Sequence, residues 1–142
     1  MLFRSEKRIA GMFRSDDHGK TWRFQWTGMT PPYTRPLCID PRPPHPVTVG
    51  SSPTAFSSAK DAGGARAMLF QSADGGETWR SLGDADHSPS AAQIHAVAAD
   101  PETTGGVLVG TDTGELWRVR PDAKWTRVAQ GLPMVQSILP LA

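Results

Sequence analysis

Short apolar segments alternate with polar, glycine-containing turns along most of the chain. Segments 11–14 and 22–26 flank one such turn, and segments 67–71 and 79–82 flank another. Two short apolar segments joined by a tight polar turn are typical of a β-hairpin, so each pair is predicted to form one. No segment carries a helical apolar period long enough for a crossover helix, and parallel βαβ units are therefore not expected.

Both turns have the same eight-residue pattern, S-x-D-x-G-x-T-W, at residues 15–22 and 72–79. Five fixed positions in eight, found twice, indicate a repeated supersecondary unit. The fixed residues are Ser15, Asp17, Gly19, Thr21 and Trp22 in the first copy, and Ser72, Asp74, Gly76, Thr78 and Trp79 in the second.

Each fixed residue of the octet has a structural role in a tight turn. The aspartate is expected to accept backbone N–H groups left unpaired by the bend, and the serine and threonine hydroxyls to tie its two sides together. The glycine supplies a positive φ. The tryptophan starts the outgoing strand, where its ring buries ~150–250 Å² against neighbouring strands. The octets are therefore predicted to be structural rather than catalytic.

A second pattern alternates with the octets. An apolar segment ends in Asp-Pro at 40–41, and the β-branched segment that follows it ends in Val-Gly-Ser at 49–51. A second apolar segment ends in Asp-Pro at 100–101, and the β-branched segment that follows it ends in Val-Gly-Thr at 109–111. Proline cannot donate to a β-ladder and aspartate caps turns, so Asp-Pro predicts the end of a strand. Together the two patterns define a unit of four strands.

Repeated four-stranded units of ~40–50 residues predict an all-β fold, a partial β-propeller with about two complete antiparallel blades and parts of one or two others. An immunoglobulin-like sandwich is the alternative, but it does not explain the fixed alternation of the two patterns. We predict a single partial propeller over residues 1–142, divided into a half blade at 11–27, a blade at 35–84 with an inserted surface loop at 52–66, a blade at 92–130, and the first strand of a further or ring-closing blade at 134–141.

The octets resemble the Asp-box, or bacterial neuraminidase repeat. The segment from Val107 to Trp117 also resembles the sequence of bacterial proteins with such repeats. The resemblance covers residues 11–140. It implies a β-propeller similar to those of sialidases, sortilin-type receptors and photosystem assembly factors. In this family the box is a hairpin turn on the rim of the propeller, so the resemblance implies a fold rather than an activity.

The predicted blades are fewer than the ~4–8 of a closed propeller. We favour the interpretation that the chain is a C-terminal fragment of a longer protein with further blades. Self-association, with terminal strands sharing a blade between copies, is a second interpretation. An open arc is the third, and it would leave long edges unpaired and apolar faces in water.

Composition narrows the classes of function. The 142 residues are 38% hydrophobic and 20% charged, as in a globular domain. The formal net charge is +1, which offers no field for nucleic acid or anionic lipid, so neither is expected as a partner. There is no apolar run of the ~20 residues that a spanning helix needs and no apolar core of a signal peptide, so a cytoplasmic location is the default expectation.

The sequence assigns no catalytic residue, metal site or cofactor. The resemblance to sialidases implies a tyrosine nucleophile with acidic partners and an arginine cluster, but Tyr33 is the single tyrosine and no such set can be assembled around it. The octets lack the acidic positions of an EF-hand, and no two histidines have metal-ligand spacing. Cys38 is the single cysteine and is interpreted as a small buried residue.

Tyr33, Arg35 and His95 are candidates for a binding site at one mouth of the central channel, because the strand nearest the axis comes first in each propeller blade. Loops 31–35 and 88–93 are expected to line that mouth, whereas His18, His45 and His87 are interpreted as solvated turn residues. The predicted function is a non-catalytic scaffold that binds a protein or a carbohydrate. The alternative is part of a sialidase-like or other glycoside hydrolase-like enzyme whose catalytic residues lie mostly on missing blades.

Overall fold

The structure, a computed structural model, describes residues 1–5, 11–54 and 61–141. Within these ranges the chain forms eleven β-strands and no helix, which confirms the predicted all-β class. The strands are β1 (Leu2–Ser5), β2 (Met12–Ser15), β3 (Arg23–Phe24), β4 (Tyr33–Ile39), β5 (Val47–Ser52), β6 (Met68–Ser72), β7 (Arg80–Ser81), β8 (Ile94–Ala99), β9 (Val107–Thr111), β10 (Leu116–Val119) and β11 (Trp125–Ala129).

The strands form three antiparallel sheets in which neighbours in sequence are neighbours in space. Sheet 1 contains β1 to β3, sheet 2 contains β4 to β7, and sheet 3 contains β8 to β11. In sheets 1 and 2 the octet joins the last two strands, so β2 corresponds to β6 and β3 to β7. In sheet 3 the shorter turn at 120–124 takes its place.

Sheet 1 contains a strand that the sequence did not predict. β1 pairs with β2, with Leu2 opposite Ser15 and Ser5 opposite Met12. Val47 of β5 lies opposite Ser72 of β6 in the same way. β1 is therefore the counterpart of β5, and the described part of sheet 1 has no counterpart of β4.

The sheets pack face to face through two apolar clusters. The cluster between sheets 1 and 2 is formed by Met12, Met29, Val47, Val49, Phe70 and Trp79. The cluster between sheets 2 and 3 is formed by Ala65, Ala67, Leu69, Leu82, Ile94, Val107, Val109 and Val119. Because side chains alternate along a strand, β5 directs its valines toward sheet 1 and Thr48 toward the opposite face. Each fully buried valine or leucine contributes about 1.5–3 kcal/mol.

Glycines in β5 and β9 allow a following segment to lie close to each sheet. A Cβ on Gly50 would lie only 2.8 Å from Cγ2 of Ile94, and a Cβ on Gly110 would overlap Val135. A glycine within a strand often marks such a close approach of other chain segments. The Val-Gly pattern therefore serves the packing of successive segments against each sheet.

The Asp-Pro pairs follow the ends of β4 and β8, as the sequence predicted. Asp40 accepts hydrogen bonds from Arg42 Nε and Nη2, both at 2.8 Å, and from the Gly105 amide at 2.8 Å. The Arg42 guanidinium also donates to the carbonyl oxygens of Pro101 and Thr103, at 3.0 and 3.1 Å. Arg42 and Asp40 thus join sheet 2 to the first turn of sheet 3.

The carboxylate of Asp40 is strongly stabilised in this turn. Burial raises its pKa, but the hydrogen bonds from Arg42 and from the Gly105 amide outweigh burial and lower the pKa to about 2. A buried carboxylate that accepts several hydrogen bonds, one of them charged, is held ionised. The junction between sheets 2 and 3 therefore depends on an ionised Asp40.

The segment predicted as a surface loop at 52–66 has exposed residues at 61–63 and at Arg66, whereas Ser52 and Ala65 are buried. Its residues 55–60 lie outside the described residues. Residues 134–141 form no strand, although the Val135 amide donates to the Thr111 carbonyl at 3.0 Å. A first strand of a further blade there stays a prediction. The described residues include no helix with the length and apolarity needed to cross a membrane.

Candidate functional site

The two octets fold into the same hydrogen-bonded turn. Ser15 Oγ donates to Asp17 Oδ1 at 2.8 Å and accepts from the Gly19 amide at 2.7 Å. In the second octet Ser72 Oγ makes the matching bonds to Asp74 and from the Gly76 amide, at 2.7 and 2.8 Å. The glycines have positive φ, 87° and 88°, which a side chain with a Cβ rarely adopts.

The octet aspartates accept hydrogen bonds from the threonines four positions later. Asp17 accepts from the amide and the hydroxyl of Thr21, at 2.9 and 2.6 Å. Asp74 accepts from the same groups of Thr78, at 3.0 and 2.6 Å. The threonine hydroxyl first, and then its amide, lower the pKa of each carboxyl to about 2. Both carboxylates are thus bound by donors from their own turn.

The octet tryptophans have different environments. Trp79 is 5% exposed and its Nε1 donates to the carbonyl oxygen of Gln25 in sheet 1, at 3.0 Å. Trp22 is 37% exposed and its Nε1 donates to Gly19 in its own turn, at 3.1 Å. The expectation of a buried ring is wrong for Trp22, because burial requires a preceding sheet and none of the described residues provides one.

The channel-mouth candidates lie on the first strands of sheets 2 and 3. Arg35 belongs to β4 and His95 to β8, and these two strands are in contact. Burial lowers the pKa of His95, the charge of Arg35 lowers it further, and Asp112 opposes both. Tyr33 is buried at the start of β4 and offers little surface to a ligand. The structure brings Arg35 and His95 together, and their role in binding stays a prediction.

A cleft of about 640 Å³ lies between sheet 3 and the segment that joins it to sheet 2. Its lining combines aromatic rings with carboxylates and hydroxyls, and its main members are His87, Trp117, Trp125, Asp86, Glu115 and Thr113. Residues 90–92 of the predicted mouth loop also line it. We call this site the aromatic cleft.

Three rings in the aromatic cleft pack on one another. The His87 imidazole stacks on Trp125, with ring centroids 5.3 Å apart and an interplanar angle of 6°. The centroids of the His87 and Trp117 rings lie 4.7 Å apart in an edge-to-face arrangement. The centroids of the two indoles lie 6.0 Å apart, with an interplanar angle of 67°. Mutual packing of this kind adds about 0.5–1.5 kcal/mol per aromatic pair beyond burial alone. The rings therefore form one wall with a defined shape.

Hydrogen bonds fix the orientation of the His87 ring. His87 Nδ1 lies 2.7 Å from Asp84 Oδ1 and 2.8 Å from Asp84 Oδ2, and the His87 amide also donates to Asp84. Burial raises the pKa of Asp84, but hydrogen bonds from His87 outweigh it, and the pKa is lowered overall. Asp84 is a positioning residue for the imidazole.

Both indole N–H groups of the aromatic cleft are also satisfied. Trp125 Nε1 donates to the Leu82 carbonyl at 2.8 Å, and Trp117 Nε1 donates to Glu115 Oε2 at 3.3 Å. The other oxygen of Glu115 accepts from Arg127 at 3.4 Å, and the Arg127 guanidinium lies 5.6 Å from the centre of the Trp117 ring. The residues around the two indoles therefore hold these rings in place.

Flat apolar rings beside hydrogen-bonding groups are suited to a ligand that has an apolar face and a polar edge. The parts of the chain that the structure describes contain no group of three or more histidine, cysteine, aspartate or glutamate side chains that could hold a metal ion. Cys38 is half-buried, and burial first, then the charge of Asp40, raise the pKa of its thiol to about 12. The rings and hydrogen-bonding groups of the aromatic cleft are suited to ring stacking and hydrogen bonding with a ligand.

Sequence reasoning did not identify the aromatic cleft. It interpreted His87 as a solvated loop residue and the two tryptophans as strand residues. The contact partners of His87 lie 30 and 38 positions further along the chain, so no local pattern connects them. One signal in the sequence could have indicated it. The hairpin of β10 and β11 contains two tryptophans, Trp117 and Trp125, whereas the corresponding hairpin of sheet 2 contains one, Trp79.

No protein-family model matches the chain, and no curated protein matches its sequence. The fold is similar to that of the GH74 xyloglucanase from Xanthomonas campestris, with a TM-score of 0.61 and 19% sequence identity. The match covers 84% of this chain and 18% of the enzyme's chain. At this identity the likeness shows the fold alone. It confirms that the three sheets are part of a β-propeller.

Proposed function

We propose that this chain is part of an Asp-box β-propeller that binds carbohydrate in the aromatic cleft without hydrolysing it. One observation carries the proposal: three rings held in fixed orientation line a cleft of about 640 Å³ together with carboxylates and hydroxyls. That volume lies within the ~300–1,000 Å³ of small-ligand sites.

The chemistry of a sugar ring fits this cleft. A pyranose has an apolar face of C–H groups, which an indole or imidazole face can cover, and an edge of hydroxyls, which need hydrogen-bond partners. Asp86 and Glu115 supply acceptors, and Thr113 supplies a hydroxyl, around the rings. A ring wall that is already packed loses little conformational entropy when a ligand binds.

The octets support the proposal as parts of a rigid platform. Each octet aspartate accepts its hydrogen bonds from the serine and threonine of its own turn. The octets are thereby assigned a structural role, in keeping with the Asp-box resemblance, and the ligand is assigned to the aromatic cleft.

Glycoside hydrolysis is the second candidate function. It is favoured by two carboxyl groups, Asp86 and Glu115, which line the same cleft, as glycosidases use a pair of carboxyl groups at the scissile bond. It is disfavoured because Trp117 and Arg127 already engage both oxygens of Glu115. We therefore assign binding rather than hydrolysis.

The test is a titration of the chain with a panel of neutral gluco-, xylo-, manno- and chito-oligosaccharides. Binding is measured by the change in tryptophan fluorescence and by calorimetry. At least one is expected to bind, and Trp117→Ala and His87→Ala are each expected to weaken it about tenfold or more, the effect of losing ~1.4 kcal/mol of contact. Trp22→Ala is the matched control, because Trp22 lies outside the cleft lining.

Trp117 packs against the core, so Trp117→Ala could weaken binding by disturbing the fold. His87 lies in a connecting loop, so His87→Ala tests the cleft with less effect on the core. Absence of binding by the folded wild-type chain across the panel would overturn the proposal. Release of reducing sugar that Glu115→Gln abolishes would replace it with the glycosidase candidate.

A further inference from the structure

The lining of the aromatic cleft carries more negative than positive charge. Two carboxylates, Asp86 and Glu115, belong to the lining, and the described residues that form it include no lysine or arginine. The chain as a whole has a formal net charge of +1, so the negative charge is local to the cleft. An acidic sugar would meet these carboxylates with like charge, and the cleft therefore favours a neutral or a positively charged ligand.

The two carboxylates of the lining have different partners. Arg127 Nη1 lies 3.4 Å from Glu115 Oε1, and Trp117 Nε1 donates to Glu115 Oε2 at 3.3 Å. Asp86 is exposed, and within the described ranges no side chain donates a hydrogen bond to its carboxylate or forms an ion pair with it. The charge of Glu115 is thus balanced inside the protein, whereas the charge of Asp86 is available to a ligand.

The histidine of the cleft does not cancel the charge of Asp86. His87 Nδ1 lies 2.7 Å from Asp84 Oδ1, so any positive charge on the imidazole is paired with Asp84. With a neutral imidazole the pair carries one negative charge, and with a protonated imidazole it carries none. The cleft is negative in both states, because Glu115 and Arg127 offset each other and the charge of Asp86 remains.

The rings of the aromatic cleft are also suited to a cation. The face of a tryptophan ring attracts a cation that lies within about 6 Å of the ring centre. The Arg127 guanidinium shows this arrangement, since it lies 5.6 Å from the centre of the Trp117 ring and pairs with Glu115. Asp86 directly precedes His87 of the ring wall, so a second carboxylate lies beside the rings and is available to a ligand.

We propose that the aromatic cleft selects a sugar that carries a protonated amino group, such as a glucosamine unit, and that Asp86 recognises the amine. This inference rests on the proposed function, because it specifies the class of carbohydrate bound at the same site. The sugar ring packs on the ring wall, and its ammonium group donates to the Asp86 carboxylate. A hydroxyl or an acetamide at the same carbon is uncharged and forms no ion pair there.

The test compares trisaccharides that share a β-1,4-linked glucose backbone and differ only in the group at C2 of each unit. Cellotriose carries a hydroxyl there, the chitosan trimer an amine, and triacetylchitotriose an acetamide. Calorimetry at about pH 6, where an amino sugar is protonated, gives the three affinities. The chitosan trimer is expected to bind about fivefold more tightly than cellotriose, the ratio expected of a solvent-exposed ion pair, and added sodium chloride is expected to reduce this ratio.

Asp86→Asn is expected to abolish the preference for the amine. The quantity measured is the ratio of the affinities for the chitosan trimer and cellotriose in the same variant, so a loss of affinity common to both ligands cancels. Asp122→Asn is the matched control, because it removes the same charge from an exposed side chain outside the cleft lining. This control is expected to keep the wild-type ratio.

The outcomes separate this inference from the proposed function. Equal affinity for the three trisaccharides, or tighter binding of triacetylchitotriose, would overturn the selection of an amine and leave carbohydrate binding in place. Absence of binding by every sugar, including the neutral panel, would overturn the proposed function itself. A preference for the chitosan trimer that persists in Asp86→Asn would show that Asp86 does not recognise the amine.

Discussion

The indole Nε1 of Trp79 donates a hydrogen bond to the carbonyl oxygen of Gln25, 3.0 Å away and 54 positions earlier in the chain. Trp125 makes the equivalent bond to Leu82, at 2.8 Å. Gln25 and Leu82 each follow directly after the last strand of the preceding sheet. In sheets 2 and 3 the tryptophan after the hairpin turn therefore ties its sheet to the sheet before it.

Asp74→Ala is expected to lower the free energy of unfolding by about 1–2 kcal/mol, because the turn loses the acceptor of its serine and threonine hydrogen bonds. Urea unfolding followed by circular dichroism measures the change. Asp122→Ala is the control, because Asp122 in the shorter turn accepts one long hydrogen bond, from the Lys124 amide at 3.4 Å. Equal losses in the two variants would contradict the structural role of the octet.

Acid is expected to destabilise the fold between about pH 4 and pH 2. The pKa values of Asp17, Asp40 and Asp74 are about 2 in the folded chain, below the ordinary value of 3.8. A carboxyl whose pKa is lower in the folded state contributes stability above its unfolded pKa and loses that contribution as the pH falls toward its folded pKa.

Thermal unfolding from pH 5 to pH 2 measures this dependence. In the Asp74→Asn variant the decrease in Tm over the same range is expected to be smaller, because one of the three carboxyls with a lowered pKa is removed. A variant with the same pH dependence as the wild-type chain would show that Asp74 does not link protonation to folding.

Arg42→Lys is expected to lower the Tm. The guanidinium binds both oxygens of Asp40 and also reaches two carbonyl oxygens of the next sheet, and an ammonium group cannot reproduce that planar set of bonds. Differential scanning calorimetry gives the Tm of each variant. Arg120→Lys is the control, because Arg120 is exposed and lies 4.0 Å from its partner Asp122. A larger effect at Arg120 would contradict the role given to Arg42.

The parts of the fold that sequence predicted are those decided by local contacts. The octet network joins residues two and four positions apart, so residue types and spacing were sufficient to expect it. The ends of β4 and β8 were predictable for the same reason, because Asp-Pro stops a ladder at its own position.

The parts that sequence missed depend on distant contacts. β1 became a strand through pairing with β2. The exposure of Trp22 depends on which sheet precedes its own, which the octet does not encode. The aromatic cleft required His87 to reach Trp117, 30 positions later. Strand pairing and side-chain packing, rather than turn chemistry, determined all three.

Hydrogen exchange of the indole N–H groups, followed by NMR, tests the packing of successive sheets most directly. The Trp79 and Trp125 indole protons are expected to exchange far more slowly than in the urea-unfolded chain, because each is bonded to a carbonyl of the preceding sheet. Exchange of either proton at the rate of the unfolded chain, in a sample whose circular dichroism shows the native β-structure, would contradict the account.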